Sequence, residues 1–564
     1  MKRLGKILLT LLLLLLLVAI LLYVLLQTQW GAGWISRSIS QRTDYQLAFS
    51  KLEHNFSDPS LLTLDNVSFG RKTQPATLVA KRVDLGLSLA QFTHPGHFSS
   101  IRLEKGTLNV WRTAAPLPLE ADRLQLSEMA VDAPDGELPI KAERVVGGLT
   151  PWKPQAGNMP GSDARFQMSA ASLNVGGFPA KNVLLQGSIS QQQWVISNFG
   201  ADLALGSITG RAQRDATGRW DVANLRLNNI RLQSSRSLPG FIEPLLSLPP
   251  IHFERIDVTD ARLEGADWAI TDLDLALKNI TLRDGDWESR EGSLSMNANS
   301  FVNGSLELND PIVNMTFSPE GVALTQLSSR WANGLIRTAG TWQRSDKKLT
   351  LDQLAIAGLE YTLPQNWRDL WMAPLPAWLS GIEVKRFEAN RNLIIDINPD
   401  FPFQMTSLEG SGSDLLLARD RQWGIWSGRL SVNAAEATFN RVDVRHPSLA
   451  LTADDNSIAV TEMSAFVKSG MVEGLATLSQ QPQRAFSLTL NGRQVPANLL
   501  HEWGWPDVDL QGDGDMQLKI EGRLAAGTPL KPSVNGSLST TVNDKTVQQR
   551  MQSGQVTAAQ SRAE

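Results

Sequence analysis

The sequence predicts a mainly β protein: a single N-terminal transmembrane helix, then an elongated, curled, antiparallel-rich β-sheet groove built of repeated modules with a few short helices. Three observations predict it. A long apolar run opens the chain, apolar residues then alternate with polar ones nearly to the end, and proline-bounded apolar segments recur within that alternation.

The opening run extends from Ile7 to Leu26 behind Lys2, Arg3 and Lys6. At ~1.5 Å of rise per helical residue it covers the roughly 30 Å of a bilayer core, whereas a cleavable signal carries only about 7 to 15 apolar residues. Gln27-Thr28-Gln29-Trp30-Gly31 offers no small-x-small cleavage site, and Trp30 and Trp34 are the amphipathic aromatics expected at a membrane interface. An uncleaved signal anchor is the reading, with residues 1–6 as a cytoplasmic stub and residues 7–26 as the span. The basic residues set the topology, so the remaining chain is expected outside the cytoplasm.

Composition agrees. The 564 residues include no cysteine, which excludes disulfides and thiolate metal sites, so an exported fold must rest on core burial and sheet hydrogen bonds. A net charge of -4 without long blocks of one sign leaves no footprint for nucleic acid, which is excluded as a partner. Residues 540–564, rich in glutamine and poor in apolar side chains, are expected to be a disordered tail.

Between anchor and tail the period is two. Leu62, Leu64, Val67 and Phe69 form one block, Leu225, Leu227, Ile230 and Leu232 a second, and Leu275, Leu277, Ile280 and Leu282 a third. In each the alternation is interrupted once by a polar pair: Asp65-Asn66, Asn228-Asn229 and Lys278-Asn279; Asp352-Gln353 interrupts a fourth. A tight hairpin needs positive φ and usually glycine, which these pairs lack, so a bulge in a continuing strand is the better fit. Such a bulge returns the next apolar residue to the same face, and repetition would curl the sheet around an apolar side.

A coarser repeat has a spacing of about 130 residues. The proline-bounded segments Leu238–Pro250 and Leu363–Leu379 each lead into strands, and Val495–Pro506 is a third candidate. These helices are read as plugs for sheet ends or, alternatively, as elements that dip into a membrane surface. With turns, the chain has room for about 30 to 40 strands of ordinary length.

No catalytic constellation emerges. Of six histidines only His94 and His97 are close, separated by Pro-Gly, and neither has further metal ligands near it in sequence. Gly512-Asp-Gly-Asp515 does not have the spacing of an EF-hand loop and reads as a turn. Trp423-Gly-Ile-Trp426 and Trp503-Gly-Trp505 read as packing residues. No serine elbow, zinc-protease helix or phosphate loop is found, so no enzyme, catalytic residue, metal or cofactor is expected.

The anchor ending Leu25-Leu26-Gln27-Thr28-Gln29-Trp30-Gly31, together with β repeats of the type Leu-x-Leu-x-Asn-(Ile/Val)-x-Leu, resembles the AsmA-like family of bacterial envelope proteins. Gly358–Pro364, Asn392–Ile397 and Thr438–Leu449 carry the likeness further. The resemblance implies a bacterial inner-membrane anchor, a periplasmic β-groove over residues 27–539 and a role in outer-membrane homeostasis. It implies phospholipid as the ligand, bound and conducted toward the outer membrane with an outer-membrane or periplasmic protein partner completing the path. The three blocks above supply the candidate groove lining. Two alternatives stay open: a filled core using the same alternation, and a scaffold or assembly factor for outer-membrane proteins without lipid transport.

Overall fold

The apolar run forms helix α1 (Lys2–Leu26), and its stretch Lys6–Leu26 is long and apolar enough to cross a membrane. This computed structural model describes residues 2–72, 74–110, 117–135, 139–156, 158–246, 248–524 and 529–563. Helix α2 (Gln29–Arg42) follows after a sharp bend, N-capped by the Thr28 hydroxyl, which accepts from the Gly31 amide. The bend requires glycine, because a Cβ at Gly31 would lie 2.5 Å from the Leu26 backbone. Ala32 is buried and Ile35 packs on the first apolar core, so α2 covers the sheet's first strands instead of continuing α1.

The rest is β. Thirty-five strands of the described residues join one sheet, mostly by antiparallel pairing of sequence neighbours. The chain divides into two compact units, residues 1–266 with 274–288, and residues 267–273 with 289–564.

In the first unit the strands that matter are β1 (Lys51–Asn55), β2 (Asp58–Arg71), β3 (Leu78–Gly86), β4 (Ser100–Asn109), β5 (Leu124–Ala133) and β6 (Ile140–Thr150). They are followed by β7 (Asp163–Val175), β8 (Phe178–Ser190), β9 (Gln193–Leu203) and β10 (Gly206–Arg214). Beyond them lie β11 (Trp220–Asn228), β12 (Arg231–Gln233), helix α3 (Leu238–Leu246), β13 (Ile251–Glu264) and β14 (Trp268–Arg283).

The polar pairs are not hairpins. β2 runs on through Asn66 at φ 52° and β14 through Asn279 at φ 51°, and Asn229 separates β11 from β12 at φ 56°. Each left-handed residue flips the strand's phase, and Asn tolerates that conformation better than most residues. Asp352-Gln353 behaves differently: the register slips between Ala339 and Gly340, leaving Asp352 as an unopposed bulge. The phase change also passes between strands. Leu64 and Val67 face Val83 and Ala80, which in turn face Leu103 and Gly106, so one-to-one pairing survives the flip.

Parallel pairing marks the crossovers. β4 pairs parallel with β5, and β11 and β12 pair parallel with β13. In the second unit β15 (Lys348–Ala357) and β16 (Glu360–Thr362) pair parallel with β17 (Gly381–Asp396), with helix α4 (Trp367–Met372) in the connection. Left-handed residues face each other at every one: Lys105 and Glu128, Asn229 and Asp260, Gly358 and Arg391. The repeat expected near the second and third crossovers is therefore present in register as well as in spacing.

Two expectations need correction. The segment near Val495–Pro506 forms a short 3-10 turn, Leu499–Trp503, between antiparallel strands and not a third crossover. It acts as a plug: Leu499, Leu500, Trp505 and Val508 are buried in one core with Leu518, Leu538 and Val547. The tail from 540 is not disordered. β18 (Asn535–Val542), β19 (Lys545–Gln552) and β20 (Gln555–Ala563) extend the sheet as a meander. Ladder hydrogen bonds do not depend on side-chain polarity, and Thr540, Val542, Val547 and Gln549 are buried, with the Trp505 indole donating to Gln549 at 2.8 Å.

Candidate functional site: an apolar sheet face

Cross-strand partners share a face, so the register assembles rows of side chains. In the first unit one row runs Leu64, Val83, Leu103, Leu126, Gly147, Met168, Leu185, Phe199, Gly210, Leu225 and Ile256. Another ends in Ile208, Leu227 and Val258. No charged residue interrupts either run.

Burial along this face is graded. Leu64 and Val67 belong to a dense core with Leu103, Leu126 and Met129, and Phe69 is buried beside it. Leu225 and Leu282 pack against a smaller cluster of Ala212, Val222 and Phe253. Leu62, Leu225, Leu227, Leu232, Leu275, Leu277 and Leu282 are all half-buried, while Ile230 and Ile280 are buried. The register sets the first and second blocks on one face, and shared packing joins Leu282 to it; their surroundings still differ. The lining residues drawn from the sequence lacked Val83, Leu185, Phe199 and Ile208, which cross-strand register brings into these rows.

The opposite face carries the charged side chains, largely self-neutralised, beside exposed Val79, Val146, Leu184 and Val195. Same-strand neighbours two apart pair as Lys51–Glu53, Arg82–Asp84, Arg255–Asp257 and Arg262–Glu264. Hydrogen bonding to Asp257, reinforced by its charge, raises the Arg255 guanidinium, and Arg262 together with Gln233 holds the Glu264 carboxyl below its usual range. At one strand end of the first unit, Arg214, Arg219 and Arg283 line a cleft with Leu248 and Pro250. Charge therefore sits on the opposite face and at strand ends, and these apolar rows are left to hydrocarbon.

His97 serves structure: it bridges Glu120 at 2.9 Å and Asp122 at 3.3 Å, holding a short parallel pair, His97–Phe98 with Glu120–Ala121. Among the described residues no group of three His, Asp or Glu side chains is arranged to hold a metal ion. Trp426 lies under the Arg419 guanidinium at 4.2 Å and Trp503 donates to the Phe439 carbonyl, both packing roles.

Over 538 residues the chain is 53% identical to the AsmA family protein YicH of Escherichia coli (strain K12), an alignment covering 95% of each chain. The chain belongs to the AsmA family. No protein-family model matches it. The family placement agrees with the architecture above: one N-terminal apolar helix that fits a single-pass membrane anchor, and a β-rich body behind it.

Proposed function

We propose that this AsmA family protein binds phospholipid acyl chains along the apolar face of its sheet and passes them toward the outer membrane. It does so from an inner-membrane anchor, with Lys2, Arg3 and Lys6 on the cytoplasmic side and the sheet in the periplasm. The carrying observation is the half-buried state of Leu225, Leu227, Leu275 and Leu277 on an otherwise continuous apolar surface. Hydrocarbon laid there would leave water without meeting a charge. The role needs no catalytic group, metal or cofactor, and a protein partner at the outer membrane would complete the route.

Native mass spectrometry with lipid extraction on the full-length detergent-solubilised protein tests this. The expected result is several bound phospholipids in the wild type and their loss in Leu227→Glu, with the circular dichroism of the sheet retained. Ile280→Glu is expected to unfold its surroundings, since Ile280 is buried and an unpaired charge there costs several kcal/mol. A folded wild type that carries no phospholipid sinks the reading.

A second reading, a scaffold for outer-membrane proteins, draws on one observation. Among the described residues the last strand, β20, pairs on one side only, with β19, leaving an edge for strand addition. Co-purified β-barrel precursors that persist in Leu227→Glu would favour it.

A further inference from the structure

The first unit exposes three large apolar side chains at one strand end: Phe56 at 79%, Leu89 at 84% and Phe92 at 87% exposure. Phe56 is the tip of the β1–β2 hairpin, just beyond the Asn55–Asp58 pair. Leu89 and Phe92 lie on the turn after β3, and that turn begins where the Leu87 amide donates to the Ser60 carbonyl of β2 at 2.6 Å. All three therefore project from the same end of the β1–β3 strands. The turn is rigidly built. Ser88 caps it, with its hydroxyl accepting from the Ala90 amide and its own amide donating to Gln91, while the Gln91 amide group donates to the His97 carbonyl. In a 3-10 turn residues i and i+3 eclipse, so Leu89 and Phe92 present one apolar edge.

The same strand end touches the membrane helix. Tyr23, within the span Lys6–Leu26, meets His54 Nδ1 through its hydroxyl at 2.7 Å, and its ring centroid is 5.0 Å from that of Phe56. Tyr23 lies ~4.5 Å inside the end of the span, at ~1.5 Å of rise per residue. The helix exit, Gln27 to Gln29, lines a polar cleft with Lys51, Asp65, Lys81, Arg82 and Glu104. Charged and polar side chains thus sit at the level where α1 ends, and the Phe56 tip lies beside its last turn. That is the polarity profile of a leaflet, from headgroup to hydrocarbon.

We propose that Phe56, Leu89 and Phe92 insert into the bilayer leaflet beside the last turn of α1, seating the ends of β1–β3 in the membrane. The partner is the phospholipid bilayer itself. The inference rests on α1 spanning that bilayer and is independent of whether lipid travels along the sheet.

The chain has no cysteine, so single-cysteine variants can be labelled without background. Full-length Phe56→Cys, Leu89→Cys and Phe92→Cys, each carrying an environment-sensitive fluorophore, are reconstituted into phosphatidylethanolamine–phosphatidylglycerol vesicles with or without a shallow nitroxide-labelled lipid. Leu22→Cys reports the helix at the depth of Tyr23. Leu205→Cys, 90% exposed on the hairpin tip at the opposite strand end, reports an apolar residue outside the patch. The expected result is loss of most emission at positions 22, 56, 89 and 92 and none at 205. Quenching at 22 without quenching at 56, 89 and 92 overturns the insertion. Absence of quenching at 22 overturns the anchor reading and the insertion with it.

Discussion

The crossover built from β11, β12, α3 and β13 and the one built from β15, β16, α4 and β17 follow the same backbone plan and differ in how they are closed. Val222, Leu225 and Leu227 pair with Phe253, Ile256 and Val258 in the first; Leu351, Leu354 and Ile356 pair with Val384, Phe387 and Ala389 in the second. Even the hairpin contacts repeat, with Arg231 donating to Ala204 and Glu360 to Ala332. At corresponding buried positions, however, stand Ala261 and Asn392, each 1% exposed. The Asn392 carboxamide accepts from the Leu359 amide and donates to the Leu408 carbonyl. The second connection is also pinned. The Trp367 indole donates to the buried Asp396 carboxylate, Trp371 stacks on Trp423, and Leu375 and Leu379 pack on Ala418. Neither helix has a buried residue: α3 leaves Ile242, Leu245 and Leu246 exposed and α4 leaves Leu370, Trp371 and Met372 exposed, while the first connection packs Leu248 on the cluster of Val222 and Phe253. One backbone solution thus carries two closures, and the one built without a buried carboxamide borders the half-buried leucines proposed to meet lipid.

The largest expected break is Asn392→Ala. It strips two hydrogen bonds from a fully enclosed site and leaves a cavity, costing about 3 kcal/mol. Urea unfolding read by hydrogen exchange should show the loss in amides of β15–β17, and a change below about 0.5 kcal/mol would dissolve the contrast with Ala261. Trp367→Phe comes next. It removes the indole donor from Asp396, which among the described residues keeps the Asn398 amide as a hydrogen-bond donor, for about 1 to 2 kcal/mol. Exchange at α4 should accelerate toward that of α3. By comparison, Leu245→Ala in α3 should stay within about 0.5 kcal/mol, because Leu245 is exposed, at 44%, and belongs to no buried cluster of the described residues.

Much of this contrast lies beyond the sequence pattern, and particular residues show why. The anchor, the alternation and the change of phase at the polar pairs were legible because apolar length and period two each have a local cause; the device was not, since left-handed Asn66 and Asn229 change the phase with one-to-one pairing where an extra-residue bulge was expected. Lys105 and Arg391 adopt the same left-handed backbone with no such signature, each facing another left-handed residue across a parallel ladder. The first crossover, β4 to β5, went unread for that reason. The lining residues were legible as apolar, but which are buried and which half-buried depends on what covers them, and that is a property of strands far apart in the chain. The glutamine-rich tail misled because composition weighs side chains, while the end of a sheet is held by backbone pairing and by one indole reaching Gln549.

The smallest expected effect is a pH dependence confined to the entry of the crossover that carries α3. Ahead of β11 the turn Asp215–Arg219 is organised by one carboxylate, which accepts from the Thr217 hydroxyl and from the Thr217 and Arg219 amides. The hydroxyl first, then the two amides, hold the Asp215 carboxyl below its usual range. A carboxylate depressed in the folded state contributes stability that is fully present above its unfolded value and is lost as pH falls through the lower, folded value. The turn should therefore stay ordered at neutral pH and loosen only below the ordinary aspartate range, with faster exchange of the Thr217 and Arg219 amides. Thr217→Val removes the leading cause, so the same loosening should begin at higher pH, toward the ordinary value. Because Asp215 is solvent-exposed, the change should remain local and leave the unfolding midpoint of the unit unmoved. An exchange profile indifferent to the Thr217 substitution would show that backbone amides alone hold the turn, and that its order owes nothing to the hydroxyl.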